Sequence, residues 1–341
     1  MGTMRLPAEW ERQAMVQLTW PHADTDWRYY LSEISATYVQ MASAISRRER
    51  LLVVSPCPGD VRAMLGSVLT EWQMSNVTFH ECLTDDTWAR DHAFITLKDA
   101  DGGNALLDFR FNGWGDKYPG DLDNAINSSL YGAGAVHGRY ENHNDFVLEG
   151  GSIESDGHGT LLTTSRCLLA PGRNQPLQRT DIERELLRRL HCKRLLWIDH
   201  GHVAGDDTDG HIDTMVRMAP RDTLLYISGD EADDEHRSDL KLMEEQLRTF
   251  RTIDGRPYRL IALPMPEPIY DGDDRLPATY ANFLVINGAV LVPVYGQPDT
   301  DRRAVEAIRE AFPGREMIAV DSRVIIRQHG SVHCCAMQYP E

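Results

Sequence analysis

The sequence has few of the features that announce a function. Its six cysteines, Cys57, Cys82, Cys167, Cys192, Cys334 and Cys335, show no paired spacing and no CxxC, so neither a disulfide framework nor a zinc ribbon is written into it. A chain of 341 residues can bury a core without covalent staples, and reduced thiols in a cytosol are expected. No apolar run reaches membrane-spanning length, and the stretch from Met1 to Glu11 has no apolar segment of the kind a secretory signal carries. The expectation is a soluble, cytoplasmic protein with no membrane partner. Positive charge is scarce: 35 Lys and Arg stand against 52 Asp and Glu, a net charge of −17. Such a surface repels polyanions, so no nucleic-acid partner is expected, while a small cationic substrate is admitted.

What is present is a recurring unit. Met15 to Trp20 alternates as a strand ended by Pro21, Asp24 to Arg50 has helical spacing, and Leu51 to Val54 reads as a buried strand. Pro58 to Met74 reads as a second helix and Val77 to Cys82 as a strand. Four hairpins follow, each with a turn signal: 93–97 with 105–109, 152–155 with 160–163, 212–218 with 224–227, and 283–286 with 290–293. Helices are expected at 181–190, 234–250 and 299–312, each followed by an apolar strand, at 195–198, 259–262 and 317–320. The repeat of strand, hairpin and helix has a period of roughly 50–70 residues, in the range of internally repeated architectures. A fifth unit would close by pairing Ser331 to Ala336 with the N-terminal strand. No linker splits the chain, so residues 1–341 are read as a single domain. The stretch 113–139 lacks periodicity and reads as an ordered lid.

The residues that could carry chemistry stand at the entries to these hairpins. Asp91 precedes the first, Glu149 the second, and His211 and Asp213 the third, while Cys334 lies on the closing strand. In a ring of similar modules, equivalent positions converge on the axis. Taken singly, Asp91 beside Arg90 could be half of an ion pair, and Glu149 could cap a turn. His211 and Asp213 could ligate a metal, yet no second histidine or cysteine lies at ligand spacing nearby. Trp88 and Trp114 could be core or substrate walls. Two carboxylates can each accept paired N–H donors from one planar cation, leaving its carbon open to a thiolate while an imidazole moves protons. A guanidinium fits that description.

Several segments carry a resemblance: Leu6-Pro7-Ala8-Glu9-Trp10, Trp20-Pro21-His22, Trp88-Ala89-Arg90-Asp91, Phe111-Asn112-Gly113-Trp114-Gly115, Leu148-Glu149-Gly150-Gly151-Ser152, Thr208-Asp209-Gly210-His211-Ile212-Asp213, and Gly330-Ser331-Val332-His333-Cys334. In order and over nearly the whole chain, they resemble the agmatine deiminase and bacterial peptidyl-arginine deiminase group of guanidino-group-modifying enzymes. The resemblance implies an α/β fold, the five-bladed α/β propeller called the pentein fold, and no cofactor or metal. It also implies Cys334 as nucleophile, His211 as acid and base, Asp91 and Asp213 as the guanidinium clamp, and Glu149 hydrogen-bonded to the histidine. Trp88 and Trp114 become substrate walls. His92-Ala93 and Gln328-His329-Gly330-Ser331 depart from the family's usual runs.

The implied reaction is hydrolysis of agmatine to N-carbamoylputrescine and ammonia. Deimination of arginine in peptides is the alternative, favoured by an open rim where a closed lid over 113–139 favours the small amine. An amidinotransferase and a non-catalytic binding factor of the same fold are further readings. If the chain assembles, a symmetric homodimer is expected.

Overall fold

In the computed structural model, residues 4–230 and 232–341 are described. They form a mixed α/β structure with five sheets of common plan and one two-residue hairpin. In each of the four internal sheets an antiparallel pair is extended by a parallel strand: Ile95–Lys98 with Asn104–Arg110 and Arg139–Val147, Ile153–Ser155 with Thr160–Thr164 and Arg194–Ile198, Val216–Ala219 with Thr223–Ile227 and Arg259–Leu263, and Leu284–Ile286 with Ala289–Val294 and Glu316–Asp321. Helices make the parallel connections, as they must, because a parallel return requires a crossover. In the remaining sheet Ala336–Pro340 pairs antiparallel with Gln13–Thr19, and Arg50–Ser55 and Val77–Glu81 follow in parallel. The two ends of the chain thus share a sheet, and Tyr339 donates to Gln17 Oε1 at 2.7 Å.

The core strands are apolar on both faces, as in Leu51, Leu52, Val53 and Val54, all buried. That pattern suits a sheet with helices against it. Leu31–Ser46 is amphipathic, burying Ile34, Tyr38, Met41 and Ile45. It begins later than its periodicity suggested. A separate 3₁₀ turn, Asp26–Tyr29, precedes it and sends Trp27 Nε1 to Asp86 Oδ1 at 3.0 Å. The helix expected over 58–74 is also broken, into Pro58–Gly66 and Glu71–Ser75. Thr70 and Gln73 form a capping box that restarts the chain after the break.

Three expectations are corrected near the hairpins. The stretch 113–139 is not structureless, since Asp121–Gly132 is a helix. Its buried face mixes Ile126 and Leu130 with Asp123 and Asn127, which hid the apolar stripe. Asp123 accepts the Asp85 and Asp86 N–H groups, and Asn127 donates to Asp108 Oδ1 at 2.7 Å. Residues 212–214 form a 3₁₀ turn, and the strand starts only at Val216. His211 and Asp213 therefore reach one place through a tight turn, not through strand alternation. Likewise Val332 to Cys335 form a turn, and the closing strand begins at Ala336. Cys334 sits just before that strand.

No described helix is long and apolar enough to cross a membrane. Because Ala336–Pro340 supplies the outer partner of Gln13–Thr19, deleting residues 336–341 should abolish cooperative unfolding. Thermal melting followed by circular dichroism checks this, and a normal melting transition would contradict it.

Candidate active site

Four of the five sheets deliver a candidate side chain from the same position, the residues that lead into the first strand of the antiparallel pair. Asp91 lies in the helical turn Ala89–His92 before Ile95–Lys98, and Glu149 precedes the turn Gly150–Ser152 before Ile153–Ser155. His211 and Asp213 flank Ile212 before Val216–Ala219, and Cys334 leads into Ala336–Pro340. The remaining sheet supplies Asn282 from the entry to Leu284–Ile286. Its side chain takes the His333 N–H at 3.0 Å and the Cys334 N–H at 3.3 Å, with Cys334 Sγ at 3.4 Å. Sequence reasoning missed Asn282. The repeat itself held the signal, because Asn282 occupies in its unit the place that Asp91 and Glu149 occupy in theirs.

Convergence is visible around one glycine. A methyl group on Gly151 would meet His211 Nδ1 at 2.6 Å, Asp91 Oδ1 at 2.9 Å and Asp213 Oδ2 at 3.1 Å. The three side chains therefore surround a spot that only a missing Cβ leaves open. Asp91 is tied down by Gly151 N–H at 2.9 Å and Trp114 Nε1–H at 3.0 Å, with His211 Nδ1 3.7 Å away. Asp213 accepts His333 Nδ1–H at 2.7 Å through Oδ2 and lies 3.9 Å from Cys334 Sγ. Asp213 Oδ1, both ring nitrogens of His211 and Glu149 Oε2 are buried with no hydrogen-bond partner. Buried polar atoms are almost always satisfied, so four orphans gathered together mark where N–H-bearing and polar ligand groups fit.

Glu149 departs from expectation. It does not bond His211; its Oε1 accepts Arg173 Nε–H at 3.0 Å. Arg173 also reaches Asp209 Oδ2 at 2.5 Å and the Thr208 carbonyl at 2.9 Å. It lies in an irregular loop with no periodic signal, which is why the sequence did not give it away. Cys167 is the other unforeseen neighbour, its donor atom within 4.8 Å of those of Glu149 and His211.

Electrostatics divide the clamp. Burial pushes the Asp91 carboxyl up, whereas the hydrogen bond and charge of His333 hold Asp213 below the usual range in spite of its burial. Burial works against the His211 imidazolium, but the charge of Asp91, then Cys167 and Glu149, hold it well above its ordinary value. Burial pushes the Cys334 thiol well up, and Asp213 and Asp91 add to that. Cys335 faces away. Its thiol is also pushed up by burial, to about 12, and its partner is Tyr38 in the core.

Cys334 and Asp91 line a cleft with Trp88, Trp114, Tyr118, Asp26, Asp86, Asp207, Thr208, Gln328, His329 and Gly330. A Cβ on Gly330 would strike the Trp88 ring at 2.1 Å, so this glycine lets the segment leading to Cys334 lie against the indole. Residues 117 and 118 are bonded across the rim of the cleft to the segment 207–209. Tyr118 donates to Asp207 Oδ2 at 3.0 Å, and Lys117 pairs with Asp209 at 3.0 Å and reaches the Asp207 carbonyl.

Among the described residues, three groups bring donors close enough for a metal: Glu149 with Cys167 and His211, Glu9 with Glu154 and His333, and Asp233 with Glu235 and His236. Arginines already neutralise each: Arg173 pairs with Glu149, Arg217 with Glu9 and Glu154, and Arg275 with Asp233. A cation would there join a positive charge already paired with these acids, although at Glu149 the second oxygen, Oε2, is left unpartnered. Gly151→Ala should lower turnover by about a hundredfold, since ångström-scale misplacement of site groups costs that much. Steady-state assays beside a melting curve check it, and retained activity would show that the three side chains need not meet there.

Comparison with known proteins agrees with this geometry. Residues 5–340 match the model of the Porphyromonas-type peptidyl-arginine deiminase family. A solved structure from Porphyromonas gingivalis, provisionally named an arginine deiminase, is 48% identical over 99% of this chain and 98% of its own, with a TM-score of 0.92. The C. jejuni agmatine deiminase, solved as a cysteine-to-serine variant with substrate bound, is 36% identical over 99% and 96%, with a TM-score of 0.90. The agmatine deiminase of Pseudomonas aeruginosa strain LESB58 is 31% identical over 98% of this chain and 95% of its own length. With five sheets of one plan, acids and a thiol at equivalent entries, and a match over nearly its whole length, the chain belongs to the Porphyromonas-type peptidyl-arginine deiminase family.

Proposed function

We propose that this protein hydrolyses the guanidino group of agmatine, giving N-carbamoylputrescine and ammonia. We also infer that the five sheets form one catalytic unit, a five-bladed ring around the site. The names of the relatives support deimination of a guanidino compound. The observation that selects agmatine is the lining of the cleft beyond Cys334. It carries Asp26, Asp86 and Asp207 and no lysine or arginine, and the nearby Lys117 is already paired with Asp209. A substrate ending in a carboxylate would meet an excess of acids there, whereas the ammonium of agmatine offsets them. Burial pushes the Asp86 carboxyl up to about 6 and also raises Asp207, so a cation beside them relieves an unfavourable charge. The bonds from Lys117 and Tyr118 to the segment 207–209 tie the rim of the cleft together, which suits a small amine better than a peptide.

Asp91 and Asp213 hold the guanidinium. Burial and the two acids raise the Cys334 thiol, and the substrate's positive charge offsets the part due to the acids, so with substrate in place the thiol gives its proton to solvent and the thiolate forms. Sulfur adds to the guanidinium carbon, and His211, kept as imidazolium by Asp91, gives its proton to the departing nitrogen, which leaves as ammonia and takes up the solvent proton outside the site. The product is a cationic amidino-thioether on Cys334. His211, now neutral, takes a proton from water as its oxygen adds to the same carbon. Collapse breaks the C–S bond, the hydroxyl proton of the intermediate passes to the departing sulfur, and Cys334 returns as the thiol as the N-carbamoyl amine is released. Trp88 and Trp114 wall the cleft, and Glu149 with Arg173 sets the field behind His211.

Cys334→Ser should lose more than about a thousandfold in turnover while folding normally, because a nucleophile acting in a concerted set costs that much to remove. Cys335→Ser should keep most of its activity. Rapid quench with agmatine and intact-mass measurement should find the adduct in wild type and in His211→Ala, and none in Cys334→Ser. Full activity in Cys334→Ser would sink the thiol mechanism.

Ammonia release from agmatine, free arginine and a blocked arginine peptide should fall in that order, with agmatine at least about tenfold ahead, since a mismatched charge at a recognition site is worth at least that. Faster turnover of the peptide would replace the agmatine reading with the peptidyl one.

A further inference from the structure

His333, the residue before the nucleophile, has an environment unlike that of any other histidine described. Its backbone N–H is held by Asn282, and the ring lies between two carboxylates. Nδ1 is 2.7 Å from Asp213 Oδ2, on the side of the site, and Nε2 is 3.0 Å from Glu9 Oε2, on the far side. Arg217 Nη2 stands 3.1 Å from the same Nε2 and also pairs with Glu9 Oε2. Arg217 is itself fixed, with Nη1 donating to the Ala281 and Phe283 carbonyls at 3.0 and 2.5 Å, Nε on Glu154, and its guanidinium 4.5 Å from the Phe283 ring centroid. Arg90 completes the surroundings by donating to the His333 carbonyl at 3.5 Å.

These partners determine the tautomer. Arg217 can only donate to Nε2, and an ionised Asp213 can only accept from Nδ1. Asp213 is ionised, because it sits below the ordinary carboxylate range with its hydrogen bond from His333 as the chief lowering cause. Nδ1 therefore carries a proton whether or not Nε2 also carries one. One oxygen of Asp213 is thus permanently occupied, and the other, Oδ1, is left buried and unpartnered. A carboxylate pinned through one oxygen presents the second in a single direction.

We propose that His333 is a positioning residue for the deiminase site: through Nδ1–H on Asp213 Oδ2, braced from behind by Glu9 and Arg217, it aims Asp213 Oδ1 at the substrate guanidinium. This rests on the guanidino reading given above. The effect is on binding the planar cation and falls on KM more than on kcat, because His333 touches no reacting atom.

The test uses two amide replacements of different reach. In His333→Asn the side-chain NH₂ falls near the place of Nδ1, so the bond to Asp213 can re-form. In His333→Gln it falls near the place of Nε2, beside Glu9 and Arg217, so Asp213 loses its donor. His333→Gln should raise KM for agmatine at least about tenfold with kcat changed much less, as loss of a charge-assisted hydrogen bond predicts. His333→Asn should recover most of that loss. A second readout does not depend on agmatine: the dissociation constant of guanidinium chloride, read from the fluorescence of Trp88 and Trp114 in the cleft against the same titration in Asp213→Asn. That constant should weaken in His333→Gln and recover in His333→Asn. Should wild type fail to turn over agmatine while guanidinium still binds in this graded way, the substrate assignment falls and the positioning role stands. If either amide variant does not fold, Glu9→Gln reads the same chain from behind and should weaken guanidinium binding at least about threefold, in line with a neutral partner replacing a charged one. Equal losses in the two amide variants, or unchanged binding in both or in Glu9→Gln, would overturn the proposal.

Discussion

Arg217 is the group on which the rest of the centre depends. Fully buried, it neutralises Glu9 and Glu154, caps two carbonyls at the entry to Leu284–Ile286, and stands against His333. Buried carboxylates are costly without a charge partner, by several kcal/mol each. One guanidinium therefore allows acids from the N-terminal segment and from the sheet of Ile153–Ser155 to lie together. The site on the other side of His333 uses the inverse arrangement. Asp91 and Asp213 approach each other with no arginine between them, so that their charge is answered in the proposed reaction by the substrate.

In the proposed reaction that contrast holds the resting thiol of Cys334 back. Burial raises it first, and the same two acids that would receive a cation raise it further. Reactivity and recognition would then be linked through a single charge. A neutral or anionic molecule entering the cleft would not relieve the acids. Part of the selectivity at the proposed first step would thus come from electrostatics, before any contact with the far end of a ligand.

Much of this was legible in the sequence, and the parts that were not share a cause. Hairpin strands with apolar runs and Gly-containing turns, such as Leu284–Ile286 with Ala289–Val294, stand out because burial and turn chemistry act locally. So did the placement of Asp91, Glu149, His211, Asp213 and Cys334 at unit entries. The strand Arg139–Val147 was overlooked because it is mostly polar at an edge of its sheet, and the helix Asp121–Gly132 because its inner face is half polar. Asn282 escaped attention because an asparagine before an apolar strand looks like an ordinary turn residue. Arg173 and Arg217 were invisible for a different reason. Their importance comes from partners distant in the chain, and no window of sequence contains both members of such a pair.

The sheet shared by the two ends of the chain has a consequence for synthesis on the ribosome. Gln17 meets Tyr339 across 322 residues, so Gln13–Thr19 emerges early and must wait with one edge bare until nearly everything else has been made. Cys334, the nucleophile of the proposed reaction, leads into that same strand. A nascent chain can assemble its acids, its imidazole and its internal sheets, with Cys167 already near His211, and still lack Cys334. On that proposal competence arrives in one event, when Ala336–Pro340 docks, and that event is also the one that covers the waiting edge. Joining strands so far apart is slow, and during the delay the open edge is the place where a chaperone, or a second nascent chain, would find something to pair with.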